Sequence, residues 1–187
     1  SLGMFSSPRV WWTFKLMGKM DIAVLDGGLP KWKAEGRALE DLPPMVRDRH
    51  ITVQRQAHMV KDVSQVASAS KLGDWQILDA RSGERFRGEA PEPRAGLRSG
   101  RIPGSKNLCF RDVLNADSTM KSEAELLALL DAAGINLSQP VITSCGSGVT
   151  ACVLSLALER VGHRKHAVYD GSWTEWGMYP DLKIEKG

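Results

Sequence analysis

Residues 142–151 read ITSCGSGVTA and hold the strongest candidate for chemistry in the chain. Cys145 ends an apolar run, Gly146 and Gly148 follow it, and Val149, Thr150 and Ala151 open what reads as a helix. A cysteine placed so has three readings: a core side chain, an incidental member of an anion-binding loop, or a nucleophile. Glycines let the backbone turn tightly and adopt positive φ. Such a turn aims several N–H groups at one point, and a helix starting just beyond presents its positive end to the same place. Both effects favour the thiolate, which is the reactive form. Cys145 is therefore expected to be a nucleophile, with Gly146, Ser147, Gly148, Val149 and Thr150 forming an anion cradle around it. Ser147 adds a hydroxyl able to bond a substrate carbonyl or carboxylate.

The other chemistries compatible with a cysteine loop fit less well. A P-loop needs Gly-Lys-Ser/Thr, and this loop has no lysine. A cysteine phosphatase clamps phosphate with an arginine at the position that Ala151 fills here. His163 and His166 are the one close histidine pair, too little for a metal site, so no metal is expected. Acyl transfer wants a base beside the thiol. Sulfur transfer does not: the thiolate takes a sulfane sulfur, becomes a persulfide, and the loop amides stabilise that anion too. Cys109, between Leu108 and Phe110 in an expected strand, and Cys152, on an apolar helix, read as small core hydrophobes.

The elements that must position Cys145 can be read from periodicity. ITVQR (51–55) alternates like a half-buried or edge strand. HMVKDVSQVASA (58–69) sets Val60, Val63, Val66 and Ala67 on one helical face. WQILDA (75–80), a short segment in IPGSKNLCF (102–110), PVITS (140–144) and HAVYD (166–170) read as strands. SEAELLALLDAAG (122–134) is a helix with a Ser122–Glu125 capping box and a Gly134 stop, and VTACVLSLALERVG (149–162) is a mostly apolar helix. Strands alternating with helices predict an α/β fold, a doubly wound parallel sheet with helices on both faces. Ligands of such sheets bind beyond the carboxyl ends of the strands, where Cys145 lies.

Composition sets outer bounds. The chain has 187 residues, 42% hydrophobic and 25% charged, with net charge +3. It is long enough for one sizeable domain with an appendage, and its mild charge argues neither for nucleic acid nor for a membrane surface. No apolar stretch approaches the roughly 20 residues that span a bilayer, and no secretory leader is recognisable. Three cysteines do not make a disulfide framework, so a reducing cytoplasm is expected. Ser1 and Leu2 are set aside as foreign to the fold.

A broken repeat marks the organisation. AVLDGGLPKW (23–32) and AVYDGSWTEW (167–176) align without a gap at an offset of 144, and Gly18 falls on Gly162. The chain thus reads as the end of a first domain (1–36), a charged, Pro-Pro-containing linker (37–49) and one whole domain (50–187). The repeated Asp170-Gly171 reads as a fold element, and Trp173 and Trp176 as core.

CGSGVTA (145–151), DAR with ERFRGEAPEPR (79–94), SGRIPGSKN (99–107) and YDGSWTEWG (169–177) together resemble the second domain of a two-domain rhodanese-type sulfurtransferase, nearest the 3-mercaptopyruvate branch. The resemblance implies the rhodanese-like fold and transfer of a sulfane sulfur from 3-mercaptopyruvate to a thiol such as thioredoxin, or to cyanide, through a Cys145 persulfide, with no cofactor. It places the substrate arginines at Arg85 and Arg94; an arginine fork holds a carboxylate in two bonds. Arg81 and Arg101, the latter where relatives carry histidine, read as structural. A thiosulfate-using rhodanese and a non-catalytic sulfur carrier remain alternatives. In this family the site lies between domains, so the missing first domain is an expected partner, and the first-domain remnant could dock on its own chain or swap into a dimer.

Overall fold

The computed structural model describes residues 3–48 and 50–187. Ser1, Leu2 and Arg49, at the outer edges of the expected first segment and linker, lie outside the described residues. Helices are α1 (Ser7–Leu16), α2 (Gly28–Ala34), α3 (Val63–Leu72), α4 (Gly83–Arg87), α5 (Glu123–Ala132), α6 (Ala151–Arg160) and α7 (Ser172–Trp176). Strands are β1 (Val60–Lys61), β2 (Gln76–Asp79), β3 (Lys106–Asn107), β4 (Val141–Ser144) and β5 (His166–Tyr169). They form one parallel sheet in the order β1-β5-β4-β2-β3.

Side-chain alternation along the central strands feeds two cores. Leu78, Val141 and Val168 pack on one face with Trp11 and Trp12 of α1, Leu126 and Leu130 of α5, and the apolar side of α6. Ile77, Ile142 and Tyr169 point the other way, against Val66 and Ala69 of α3 and Trp173 and Trp176 of α7. This is the doubly wound arrangement expected from the sequence. The connections from β2 to β3 and from β4 to β5 run outward in opposite directions, so the sheet's switch point falls between β2 and β4. Cys145 follows β4 directly, and Ala80 and Arg81 follow β2. The fold opens its ligand crevice there.

Several boundaries differ from the expectation. Residues 51–55 form no strand: Gln54 and Gln56 donate their amides to Met17 and Leu16 carbonyls at the end of α1, so the alternating segment runs along a helix end rather than a sheet edge. The edge strand is Val60–Lys61, and the helix begins only after Asp62, whose side chain and that of Gln65 make a reciprocal capping box. Cys109 lies two residues beyond the end of β3, outside any strand. The last long helix starts at Ala151 instead of Val149.

The repeat is visible in three dimensions. α1 and α6 have the same bounds when 144 is added, and Gly18 and Gly162 both take positive φ, 95° and 78°. Residues 22–25, which correspond to β5, are irregular, because no neighbouring strand among the described residues offers them a ladder. α1 instead docks on α6 within the same chain. Trp12 is 1% exposed and donates its indole N–H to the Met59 carbonyl at 3.2 Å. Arg9 of α1 pairs with Asp170, and Arg160 of α6 pairs with Asp26 at 3.5 Å, so each helix braces the aspartate of the other copy. Residues 37–48 are irregular and exposed throughout.

His166 opens β5 beneath this helix pair. Its neutral ring satisfies both neighbours: Nδ1 accepts from Ser155 Oγ at 3.0 Å, and Nε2–H donates to Glu159 at 3.2 Å. Lys15 and Arg164 also pair with Glu159 and so bring two cations close to the ring. Burial, with Lys15 and Arg164 adding to it, pushes the His166 pKa down from 6.5 to about 4. The unfolded chain therefore binds a proton that the folded chain refuses between these two values. Stability is complete above pH 6.5 and falls as pH drops towards 4, by about 3 kcal/mol from this residue. Urea unfolding of His166→Gln at a series of pH values should show a profile flatter than the unmodified chain by that amount.

Candidate active site

The loop after β4 is shaped by two glycines. Gly148 has φ +79°, and a Cβ there would lie 2.6 Å from the Asp170 carbonyl oxygen and 2.9 Å from Arg9 Nη1. A Cβ on Gly146 would lie 2.9 Å from Arg85 Nη2. With both side chains absent, the loop closes over the cysteine. Ser147 N–H and Gly148 N–H donate to Cys145 Sγ at 3.4 and 3.1 Å. Ser172 Oγ stands 4.0 Å from the same sulfur, accepts the Cys145 amide at 3.1 Å and donates to the Tyr169 carbonyl at 2.8 Å. The amides of Gly146, Val149 and Thr150 have no acceptor among the described residues. They remain available to an anion entering beside the sulfur.

Cys145 is 1% exposed and lies at the floor of a cavity of about 510 Å³. Gly146, Ser147, Val149 and Thr150 line it with Arg85 and Arg94, so the residues singled out in the sequence meet in one place; Gly148 sits behind the wall and serves through its amide. No histidine lines the cavity among the described residues, which leaves the thiol without an adjacent imidazole base.

The arginine walls differ in kind. Arg81 is buried; it pairs with Asp79 at 2.7 Å and Glu92 at 2.9 Å, donates to the Gly100 carbonyl, and lies over the Trp173 ring at 4.4 Å. Its structural reading from sequence agrees with these contacts. Arg85 is half-open to the cavity, and Glu92 holds it at 2.6 Å. Arg94 donates to Thr174 Oγ1 at 2.8 Å, and Thr174 Oγ1 in turn donates to the Gly146 carbonyl at 2.5 Å. The cations thus reach the loop through α7 and the loop holding Glu92. Arg101 pairs with Glu185 at 3.5 Å and stacks over Phe86, away from the cavity.

The sequence pattern of the rhodanese-like domain matches residues 62–179 of this chain. The chain belongs to the rhodanese family. It is 41% identical to the mitochondrial thiosulfate/3-mercaptopyruvate sulfurtransferase 1 of Arabidopsis thaliana over 98% of its own length and 54% of that protein's. It is 36% identical to human 3-mercaptopyruvate sulfurtransferase over 99% of itself and 63% of the relative. A crystal structure of the Escherichia coli 3-mercaptopyruvate sulfotransferase SseA superposes with TM-score 0.81 at 34% identity, covering 91% of this chain and 64% of that one. The chain therefore spans between about half and two thirds of the length of these relatives.

Around this site, sequence reading missed four supporting residues. Arg9 donates to the Gly148 carbonyl at 3.3 Å and pairs with Asp170, so an N-terminal helix anchors the back of the loop. Ser172 holds the Cys145 amide from a strained backbone, φ +50°. Thr174 and Glu92 fix the arginines. The repeat carried a signal for Asp170 and the turn at Ser172, yet they read as fold elements because the first copy lacks the cysteine loop. Cys109, read as a core residue, lines the cavity half-buried, and burial raises its pKa. Cys152 keeps its core reading: it is fully buried, its thiol donates to the Gly148 carbonyl at 3.3 Å, and desolvation raises its pKa.

Glu92 offers a direct test of this architecture. Its side chain is 2% exposed and bridges two guanidinium groups. Breaking such a buried arrangement by removing one partner's charge costs about 3 kcal/mol. Glu92→Gln should lower the unfolding free energy by that order in urea titration, while Glu89→Gln, whose Arg87 pair is exposed and screened by solvent, should leave the midpoint essentially unchanged.

Proposed function

We propose that this chain carries the catalytic domain of a sulfurtransferase that moves a sulfane sulfur from 3-mercaptopyruvate to a thiol acceptor, such as thioredoxin, or to cyanide. The observation that carries the reading is the sulfur of Cys145, held by two loop amides at the floor of an arginine-walled cavity. The names of the relatives support the same reaction class.

In the first step the Cys145 thiolate attacks the substrate sulfur. A Cys145 Sγ–S bond forms, the substrate C–S bond breaks, and its electron pair goes to carbon as the enolate of pyruvate. The proton of the substrate thiol replaces that charge, giving pyruvate and the persulfide anion. Arg94 and Arg85 hold the carboxylate; Ser147 and Gly148 N–H groups stabilise charge on Sγ, and the free amides of Gly146, Val149 and Thr150 receive the outer sulfur. In the second step the acceptor's nucleophile takes the outer sulfur, and the electron pair of the breaking S–S bond returns to Cys145.

This assignment needs no metal or organic cofactor. Three cysteines without disulfide partners suit a reducing compartment such as the cytoplasm. The two-copy pattern favours a division into the end of a first rhodanese-like domain (1–36), a linker (37–49) and the catalytic domain (50–187), with the whole first domain as a partner supplying further site residues. No helix among the described residues is long and apolar enough to cross a membrane. Thiosulfate as the donor is the second reading; it is favoured by the excess of arginine over carboxylate in the cavity wall, where Arg94 has a hydroxyl and no acid as its partner, and by relatives named for thiosulfate.

Incubation with 3-mercaptopyruvate should add about 32 Da, one sulfur, to the intact mass, and Cys145→Ser should abolish both the gain and all turnover. Arg94→Ala should raise KM for 3-mercaptopyruvate by about tenfold to a hundredfold, the loss of one charge-assisted contact. Faster loading from thiosulfate than from 3-mercaptopyruvate would select the second reading, loading without turnover would indicate a carrier, and absence of any mass gain from either donor would overturn the sulfurtransferase assignment.

A further inference from the structure

Four arginines line the cavity above Cys145, and their charges are not equally committed. Arg81 is balanced by Asp79 and Glu92, and Arg85 shares Glu92. Arg94 is bonded to a hydroxyl. Arg111 is exposed, has no carboxylate within ion-pair distance among the described residues, and stands over the Phe110 ring at 5.6 Å. A guanidinium laid on an aromatic face keeps its edge N–H groups free for an anion.

Position separates Arg111 from Arg94. Arg94 is tied to Thr174, which follows β5 on one side of the cysteine strand β4. Arg111 follows β3, two strands away on the other side, or roughly 10 Å across the sheet. Arg85, in α4 after β2, stands between the two, so a three-carbon keto acid held by Arg94 and Arg85 with its sulfur on Cys145 leaves the flank beyond Arg85 open. A second cavity of about 320 Å³ begins on the same flank. It shares Phe5, Phe110 and Arg111 with the first and continues to Leu114, Asn115 and Ser118. Phe5 and Phe110 meet edge to face at 5.7 Å and form an apolar sill between the two spaces.

We propose that Arg111 and this second cavity form the acceptor subsite, selective for small thiols that carry a carboxylate. The assignment rests on the sulfurtransferase reading and adds the acceptor class to it. The acceptor's carbon stem crosses the Phe5–Phe110 sill, its carboxylate pairs with Arg111, and its sulfur reaches the Cys145 persulfide. The acceptor thiolate forms a bond to the outer sulfur, the Sγ–S bond breaks with its electron pair left on Cys145, and the acceptor departs as a persulfide anion. The thiol proton goes to solvent, and no oxidant is consumed.

The test uses 3-mercaptopropionate and its methyl ester, which share one thiol and one stem and differ in the charge. Cys145 persulfide is installed with the donor and verified by mass before the acceptor is added. Arg111→Gln should lower kcat/KM for the acid about tenfold, the scale of one lost charge-assisted contact, and leave the ester within about twofold. Arg111→Lys should recover part of the loss, and the rate of persulfide loading should be the same in all three proteins. Equal losses for acid and ester, or no loss for either, would overturn the subsite. Failure of Cys145 to load in the unmodified chain would overturn the sulfurtransferase reading beneath it, and the subsite with it; the mass measurement separates the two failures.

Discussion

The chemistry depends on the backbone of Gly148 lying where no other residue's Cβ fits. Its positive φ turns the chain so that its own N–H and that of Ser147 meet the sulfur of Cys145. The space a Cβ would need is taken by the Asp170 carbonyl and by Arg9, which also binds the Gly148 carbonyl. The close approach is therefore held from both sides. The sheet supplies the rigid base: β4 is buried along its whole length, and the loop leaves it at the switch point, with β2 and β5 flanking the cysteine. A thiol buried to 1% exposure would ordinarily lie among aliphatic groups; here amides point at it from the turn.

Charge is organised by a second buried group. Glu92 cannot stay in the interior as a lone carboxylate, and Arg81 and Arg85 share it. Arg81 is thereby fixed under Trp173, while Arg85 keeps an open side towards the cavity. One carboxylate thus divides two neighbouring arginines into a structural cation and a site cation. Arg94 needs no acid, because Thr174 positions it and also bonds the loop carbonyl at Gly146. The cavity keeps an excess of positive charge facing the cysteine, suited to anionic substrates.

Most of the architecture was legible in local pattern. The capping box at Ser122 and Glu125, the glycine stop at Gly134 and the apolar strands β2, β4 and β5 stand where the sequence places them. Residues 51–55 misled because alternation reports one buried face and not its partner; the backbone there bonds a helix end. Residues 22–25 show the complementary limit: their counterpart in the repeat is β5, yet without a neighbouring ladder among the described residues they stay irregular. At the site, the cysteine and its glycines were readable because their chemistry is contained in a few consecutive residues. Arg9, Glu92 and Thr174 were not, since their roles arise from contacts across the fold, 139 residues apart for Arg9 and Gly148. The short range of β3 is what released Cys109 from its expected strand and set it on the cavity wall.

The docking of α1 on α6 has a topological consequence. The helix is joined to the rest of the chain through residues 37–48, a wholly exposed tether that makes no regular structure. Its attachment is secured by buried tryptophans and crossed Arg–Asp braces rather than by that tether. Covalent continuity there contributes only the modest entropy of holding two ends within reach. The molecule behaves architecturally as two interlocked pieces, and its N-terminal piece is a clasp whose arginine reaches the reactive loop from outside the sheet.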